Sequence, residues 1–277
     1  AASIIAGEWA RQSPDEAMNW AKTLTGQDKG NALSSIVSEV AKTDPEKAMA
    51  LAATMEGDDQ ARANRQIAEA LGAKSWDKAQ QFIASLPADQ QDDARRRAFD
   101  GLAAEDPREA AQQLASFTDE ETRNRATAKV AEEMSKESPQ DAFNLVISSG
   151  SDQGDAMRNV MMNYARQDSA AALSSLQQLP EGDLRDTAVG TYIFANNGTD
   201  YAQNFSLAET IGDEGDRQRA IMMSSAKWFR TDPEAAKAAI QQSTSLDDET
   251  KTRIIESGGE MRGWGRGGDG GGGGRGR

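Results

Sequence analysis

Asp44-Pro45-Glu46-Lys47-Ala48 is a short phrase that returns along the whole chain. Counted from its first residue, the anchors are Ser13, Asp44, Ser75, Asp106, Ser138, Asp168, Asp200 and Asp232. They are separated by 31, 31, 31, 32, 30, 32 and 32 residues, so the chain is an array of repeats with a period near 31. The phrase reads as a helix start. Ser or Asp accepts a backbone N–H as N-cap, and Pro fits the first helical position, where no N–H is needed. Pro follows the anchor at Pro14, Pro45, Pro107, Pro139 and Pro233. Glu16 and Glu109, three residues past their caps, predict capping boxes.

Working outward from the anchor, positions plus four, plus eight and plus eleven are mostly apolar, as in Ala17, Ala21 and Leu24 or Ala79, Ile83 and Leu86. That spacing predicts a first helix in each repeat. A break rich in Gly, Asp and Pro follows, for example Gly57-Asp58-Asp59 and Gly212-Asp213-Glu214. A second helix leads into the next anchor. Twelve residues before the anchor stands Ala every time: Ala32, Ala63, Ala94, Ala126, Ala156, Ala188 and Ala220. The first helices carry Ala as well, at Ala17, Ala48, Ala79, Ala110, Ala142, Ala172 and Ala236. Two such stripes can approach with little side chain between them, and larger residues fill the flanks. Helices of roughly 11 to 15 residues are marginal alone and need stacking to hold them. The predicted fold is therefore all-α, a right-handed α-solenoid of about seven and a half helical hairpins over residues 1–256, followed by a tail over 257–277.

This pattern resembles the tetratricopeptide-like α-solenoids, through Asp44-Pro45, Ala17-Met18-Asn19-Trp20 and the second-helix Ala32. It departs from them in its period, which in that family is about 34, and in lacking the Gly and Tyr of their first helix. It is also similar to bacterial proteins built of short D-P-x-x-A helical repeats. Neither resemblance implies a catalytic activity.

Composition narrows the function classes. The chain of 277 residues has no Cys and no His, which removes disulfides, thiolate or imidazole metal sites and Ser-His-Asp triads. No enzymatic activity and no cofactor are expected. The paired carboxylates Asp58/Asp59, Asp92/Asp93 and Asp247/Asp248 lie in repeat turns without the alternating ligands of a calcium loop, and helix capping accounts for them. The net charge is −14. The tail carries Arg262, Arg266, Arg275 and Arg277 against Glu260 and Asp269, a net of +2, which leaves −16 on the body. Such a body repels nucleic acid and favours basic partners. The triplet Arg95-Arg96-Arg97 is flanked by Asp92, Asp93 and Asp100 and reads as a solvated helix face rather than a phosphate patch. No apolar run approaches the ~20 residues of a membrane span, so no membrane insertion is expected. A first residue other than Met is what signal-peptide removal leaves, and an extracellular or cell-surface location is expected. Asn197-Gly198-Thr199 and Asn204-Phe205-Ser206 are formal glycosylation acceptors.

Two kinds of interaction residue stand out. Met18, Met49, Phe143, Leu173 and Phe205 share the position five past the anchor and form a candidate ladder on the first-helix face for a partner peptide or protein. The competing reading packs them between successive first helices. At the ends, Ile5 and Trp9 belong to a second helix without its first, while Ile240 and Ile254 belong to a last repeat cut short at Gly258-Gly259. With Arg262, Trp264 and Arg266 of the Gly/Arg-rich tail, they suggest that copies of the chain join head to tail into filaments or rings.

Overall fold

The computed structural model describes residues 2–150, 153–196 and 200–258. Among these residues the chain is all-helical, with 17 α-helices and one short 3-10 turn. It divides into two compact units, the first ending at Ser138 and the second beginning at Pro139.

In the first unit the helices are α1 (Ala2–Gln12), α2 (Pro14–Thr23), α3 (Gly26–Thr43), α4 (Pro45–Ala52), α5 (Gly57–Lys74), α6 (Trp76–Ser85), α7 (Ala88–Glu105), α8 (Pro107–Gln113) and α9 (Glu120–Met134). The second unit holds α10 (Pro139–Ser148), α11 (Gly154–Gln167), α12 (Ser169–Leu176), α13 (Asp183–Ala195), α14 (Tyr201–Glu209), α15 (Glu214–Thr231), α16 (Pro233–Gln242) and α17 (Asp248–Ser257). Every even-numbered helix starts on the residue after an anchor. The two helices of a repeat differ in length more than the sequence suggests. The even helices run 7 to 10 residues, whereas α3, α5, α7 and α15 each run 18. The long ones begin directly at the turn and continue to the anchor. Gly26 and Gly57 open α3 and α5 at φ +58, a left-handed conformation that lets the chain reverse within the turn.

The anchors cap as predicted in six of the helices. Asp44 accepts from Lys47 N (2.9 Å), Asp106 from Glu109 N (2.9 Å), Asp168 from Ala171 N (2.9 Å), Asp200 from Gln203 N (2.9 Å), Asp232 from Ala235 N (3.0 Å) and Ser75 from Lys78 N (3.4 Å). Ser13 makes no side-chain cap bond. The capping boxes do not form at Glu16 and Glu109. Their cap N–H groups are already taken by the preceding helix, Ser13 N by Trp9 O (2.9 Å) and Asp106 N by Leu102 O (2.7 Å). At these joints the anchor's own N–H closes the preceding helix.

Within the first unit each odd helix packs on the next, α1 on α3, α3 on α5, α5 on α7 and α7 on α9, while each even helix lies against the odd helices on either side of it. The second unit repeats this with α11 on α13 and α13 on α15. The alanines twelve before each anchor and those of the even helices are all buried, which places the small residues at the helix contacts. In α14 Asn204 takes the place of the usual Ala. It is buried, and its side-chain oxygen accepts from Asn196 Nδ2 (3.4 Å), which also donates to the Tyr192 hydroxyl (3.0 Å). The bond to its oxygen offsets part of the desolvation of the Asn204 amide.

Candidate interaction surfaces

The odd helices have two edges, one turned to the preceding odd helix and one to the next. On α1 the forward edge is Ser3, Gly7 and Arg11. Ser3 Oγ meets Ser35 Oγ at 2.5 Å, Arg11 Nε donates to Glu39 Oε2 at 3.0 Å, and Gly7 lies over the Glu39 stem. On α7 the residues that receive α5 are Ala98 and Gly101. The receiving positions are thus nine, eight and five before the anchor. On α1 these positions are Ile4, Ile5 and Glu8, and they are open: Ile4 is 74% exposed and Ile5 56%. Trp9, 36% exposed, continues the strip and rests at 6.0 Å from the ring of Trp20. An apolar edge built like an internal helix contact is uncovered.

The other expected self-assembly residues lie elsewhere. Ile240 and Ile254 are fully buried, because α17, capped by Asp247 through Thr250 N (2.7 Å), packs on α16. They therefore offer no open end. Arg262, Trp264 and Arg266 lie outside the described residues.

The first-helix ladder is not displayed. Met18, Phe143 and Phe205 are buried, and Met49 and Leu173 are half-buried. The reason is aromatic pairing inside the repeat: Phe143 meets Tyr164 edge-on at 6.2 Å, and Phe205 meets Trp228 at 6.1 Å. Tyr164 and Trp228 stand four before their anchors, so these rings turn toward an odd helix instead of stacking along the even ones. Asn204 is likewise buried and presents no side chain to a glycosylating enzyme, while Asn197 lies outside the described residues.

Clefts open along the seams between consecutive odd helices, and one in each unit stands at the same register. In the second unit a groove of about 380 Å³ lies among α11, α13 and α15. It is bordered by Met162, Phe194, Ile211 and Met223, with Gly190 leaving space where a side chain would stand. Phe194 is 56% exposed.

In the first unit the equivalent cleft, about 650 Å³, lies among α5, α7 and α9 and is cationic. Arg65 comes from α5, Arg96 and Arg97 from α7, Arg125 and Lys129 from α9. Asp93 and Asp100 are the carboxylates of its wall, and Phe99 and Phe117, in edge contact at 4.9 Å, form the floor. Arg96 pairs with Asp93, Arg125 with Glu121 (2.8 Å) and Lys129 with Glu133 (2.7 Å). Arg65 and Arg97 reach Asp93 and Asp100 only at 3.8 Å, beyond hydrogen-bond distance. Burial raises the proton affinity of Asp100, against the pull of Arg97, Lys129 and Arg96. Arg95 stays outside, paired with Asp92 at 3.3 Å.

The triplet is thus split between a solvated face and a cleft. Arg65, Arg125 and Lys129 join it only through the fold. The signal in the sequence is positional: counted from their own anchors the five cations stand ten, ten, nine, thirteen and nine residues before.

Among the described residues no helix is long and apolar enough to cross a membrane. In comparisons with protein-family models, curated proteins and solved structures, this chain finds no match.

Proposed function

We propose that this chain is a non-enzymatic structural repeat protein, a right-handed α-solenoid of about seven and a half hairpins, whose copies join head to tail into filaments or rings. The observation that carries the reading is the exposure of Ile4 and Ile5 at positions that elsewhere receive a neighbouring helix. A strip of that kind in water loses the stabilisation that burying it would supply, about 25 cal/mol per Å². The complementary surface on a second copy is the forward edge of α15. Ala226 and Phe229 stand there, six and three before their anchor, as Glu69 and Gly72 do on α5, and both are only half-buried. A contact between two different edges of identical chains is heterologous, and it propagates unless its rotation closes a ring. A monomeric scaffold holding a partner peptide along the even-helix face is the competing reading, and the burial of Met18, Phe143 and Phe205 weighs against it.

Light scattering and negative-stain microscopy at rising concentration test the proposal. The full chain should grow in size, and a paired Ile4→Ser and Ile5→Lys substitution should leave monomers with an unchanged melt. A chain that stays monomeric at high concentration, or a variant that assembles as before, overturns it.

A further inference from the structure

We propose that the cleft among α5, α7 and α9 is a binding site for a compact oligophosphate, either a free polyphosphate chain or the phosphate ester of a small molecule. The argument begins with charge. The body of this protein is strongly acidic, with a chain total of −14, yet five cations from three helices converge on one cleft whose wall holds two carboxylates, with Glu121 and Glu133 pairing Arg125 and Lys129 from outside the lining. Like charges gathered in a concave, partly desolvated space repel one another, and a bound anion relieves that repulsion.

Donor geometry is the second part. Four of the five cations are arginines, whose planar guanidinium forks match phosphate oxygens in bidentate fashion. Arg65 and Arg97, from different helices, stand at 3.8 Å from their carboxylates, so their donors are not consumed by internal pairing. The size of the cleft, about 650 Å³, is in the range of small-molecule sites, roughly 300 to 1,000 Å³. A peptide spaces its carboxylates singly along an extended chain, whereas an oligophosphate concentrates several acceptor oxygens in a short length, which suits cations that meet at one place. The floor selects little. Phe99 and Phe117 are buried and turned edge to face, so they offer no broad ring surface for a base to stack on.

The equivalent groove in the second unit supplies an internal control. Where the first unit has Arg96 and Lys129, the second has Gly190 and Met223 at the same distances from the anchor, although Arg158 and Arg219 remain in the positions of Arg65 and Arg125. A shared repeat architecture therefore does not make the seam cationic; the residues that stand at these positions in α7 and α9 do.

The test is isothermal titration of the full chain with inorganic tripolyphosphate and, separately, with a nucleoside triphosphate and hexaglutamate, at fixed ionic strength. The expected result is saturable binding of tripolyphosphate, weakened at least tenfold by a joint Arg97→Ala and Arg125→Ala substitution and unchanged by Arg158→Ala. Both arginines are exposed, and a thermal melt of the double variant confirms that it is folded. Affinity should fall with added salt. Equal affinity for tripolyphosphate and the nucleotide assigns the site to the phosphate chain itself; tenfold tighter nucleotide binding supports the site and identifies the ester as its source. Absence of saturable phosphate binding, equal loss in Arg158→Ala, or preference for hexaglutamate overturns the proposal.

Discussion

Gly72 and Ala98 bring α5 and α7 together backbone to backbone: a Cβ built on Gly72 would stand 1.8 Å from the carbonyl oxygen of Ala98. The contact is reciprocated, since a Cβ on Gly101 would stand 2.1 Å from the carbonyl oxygen of Glu69. No side-chain rearrangement relieves a clash with main chain. Gly72→Ala or Gly101→Ala should push the helices apart and cost about 1 to 3 kcal/mol. Gly190 in α13 meets nothing within 4 Å, so Gly190→Ala should instead gain about 0.5 to 1 kcal/mol from helix propensity. Urea unfolding of the three variants checks both signs.

Six of the anchors make a side-chain cap bond and Ser13 does not. Asp44→Ala and Asp168→Ala each remove the acceptor of a backbone N–H and should cost about 1 kcal/mol. Ser13→Ala removes a hydroxyl that makes no cap bond and should change the melt little. Equal shifts in all three would contradict the capping assignment.

The small residues at the helix contacts are testable in the same way. Ala94 is fully buried between its neighbours, and Ala94→Leu should overpack that contact by about 1 to 3 kcal/mol. A melt at the wild-type temperature would show that the contact yields.

Two carboxylates carry pH dependence of opposite sign. Hydrogen bonds from Lys42 and Arg11 hold the Glu39 carboxyl below its ordinary value of 4.5. Its contribution is present above pH 4.5 and is lost as pH falls through the depressed value. Glu39→Gln should therefore lower stability at neutral pH, with the difference vanishing in acid. Burial raises the Asp100 carboxyl above 3.8, so the folded state is favoured below that pH and loses stability as pH rises through the raised value. Asp100→Asn should raise the melting midpoint at neutral pH and match the wild type below 3.8. Thermal melts across pH 3 to 8 (roughly the carboxylate range and above) separate the two.

The sequence by itself determined the helices and their joints. The Ser or Asp anchors place the start of every even helix, and the recurring Ala twelve residues before them marks the buried face of the odd ones, because capping chemistry and small-residue contacts are local and recur with the repeat. Ile5 and Trp9 were legible as an exposed strip for the same reason: their register is that of buried residues in later repeats. Only the tertiary structure decided what lies across the seams. Periodicity does not say which way a ring turns, and Phe143 and Phe205 turn inward onto Tyr164 and Trp228. Nor does it say which helices touch most closely, which Gly72 and Gly101 settle by omitting a Cβ. The cationic cleft is the clearest case: Arg65, Arg97 and Arg125 lie about thirty residues apart along the chain, and their convergence exists only once three odd helices stand side by side.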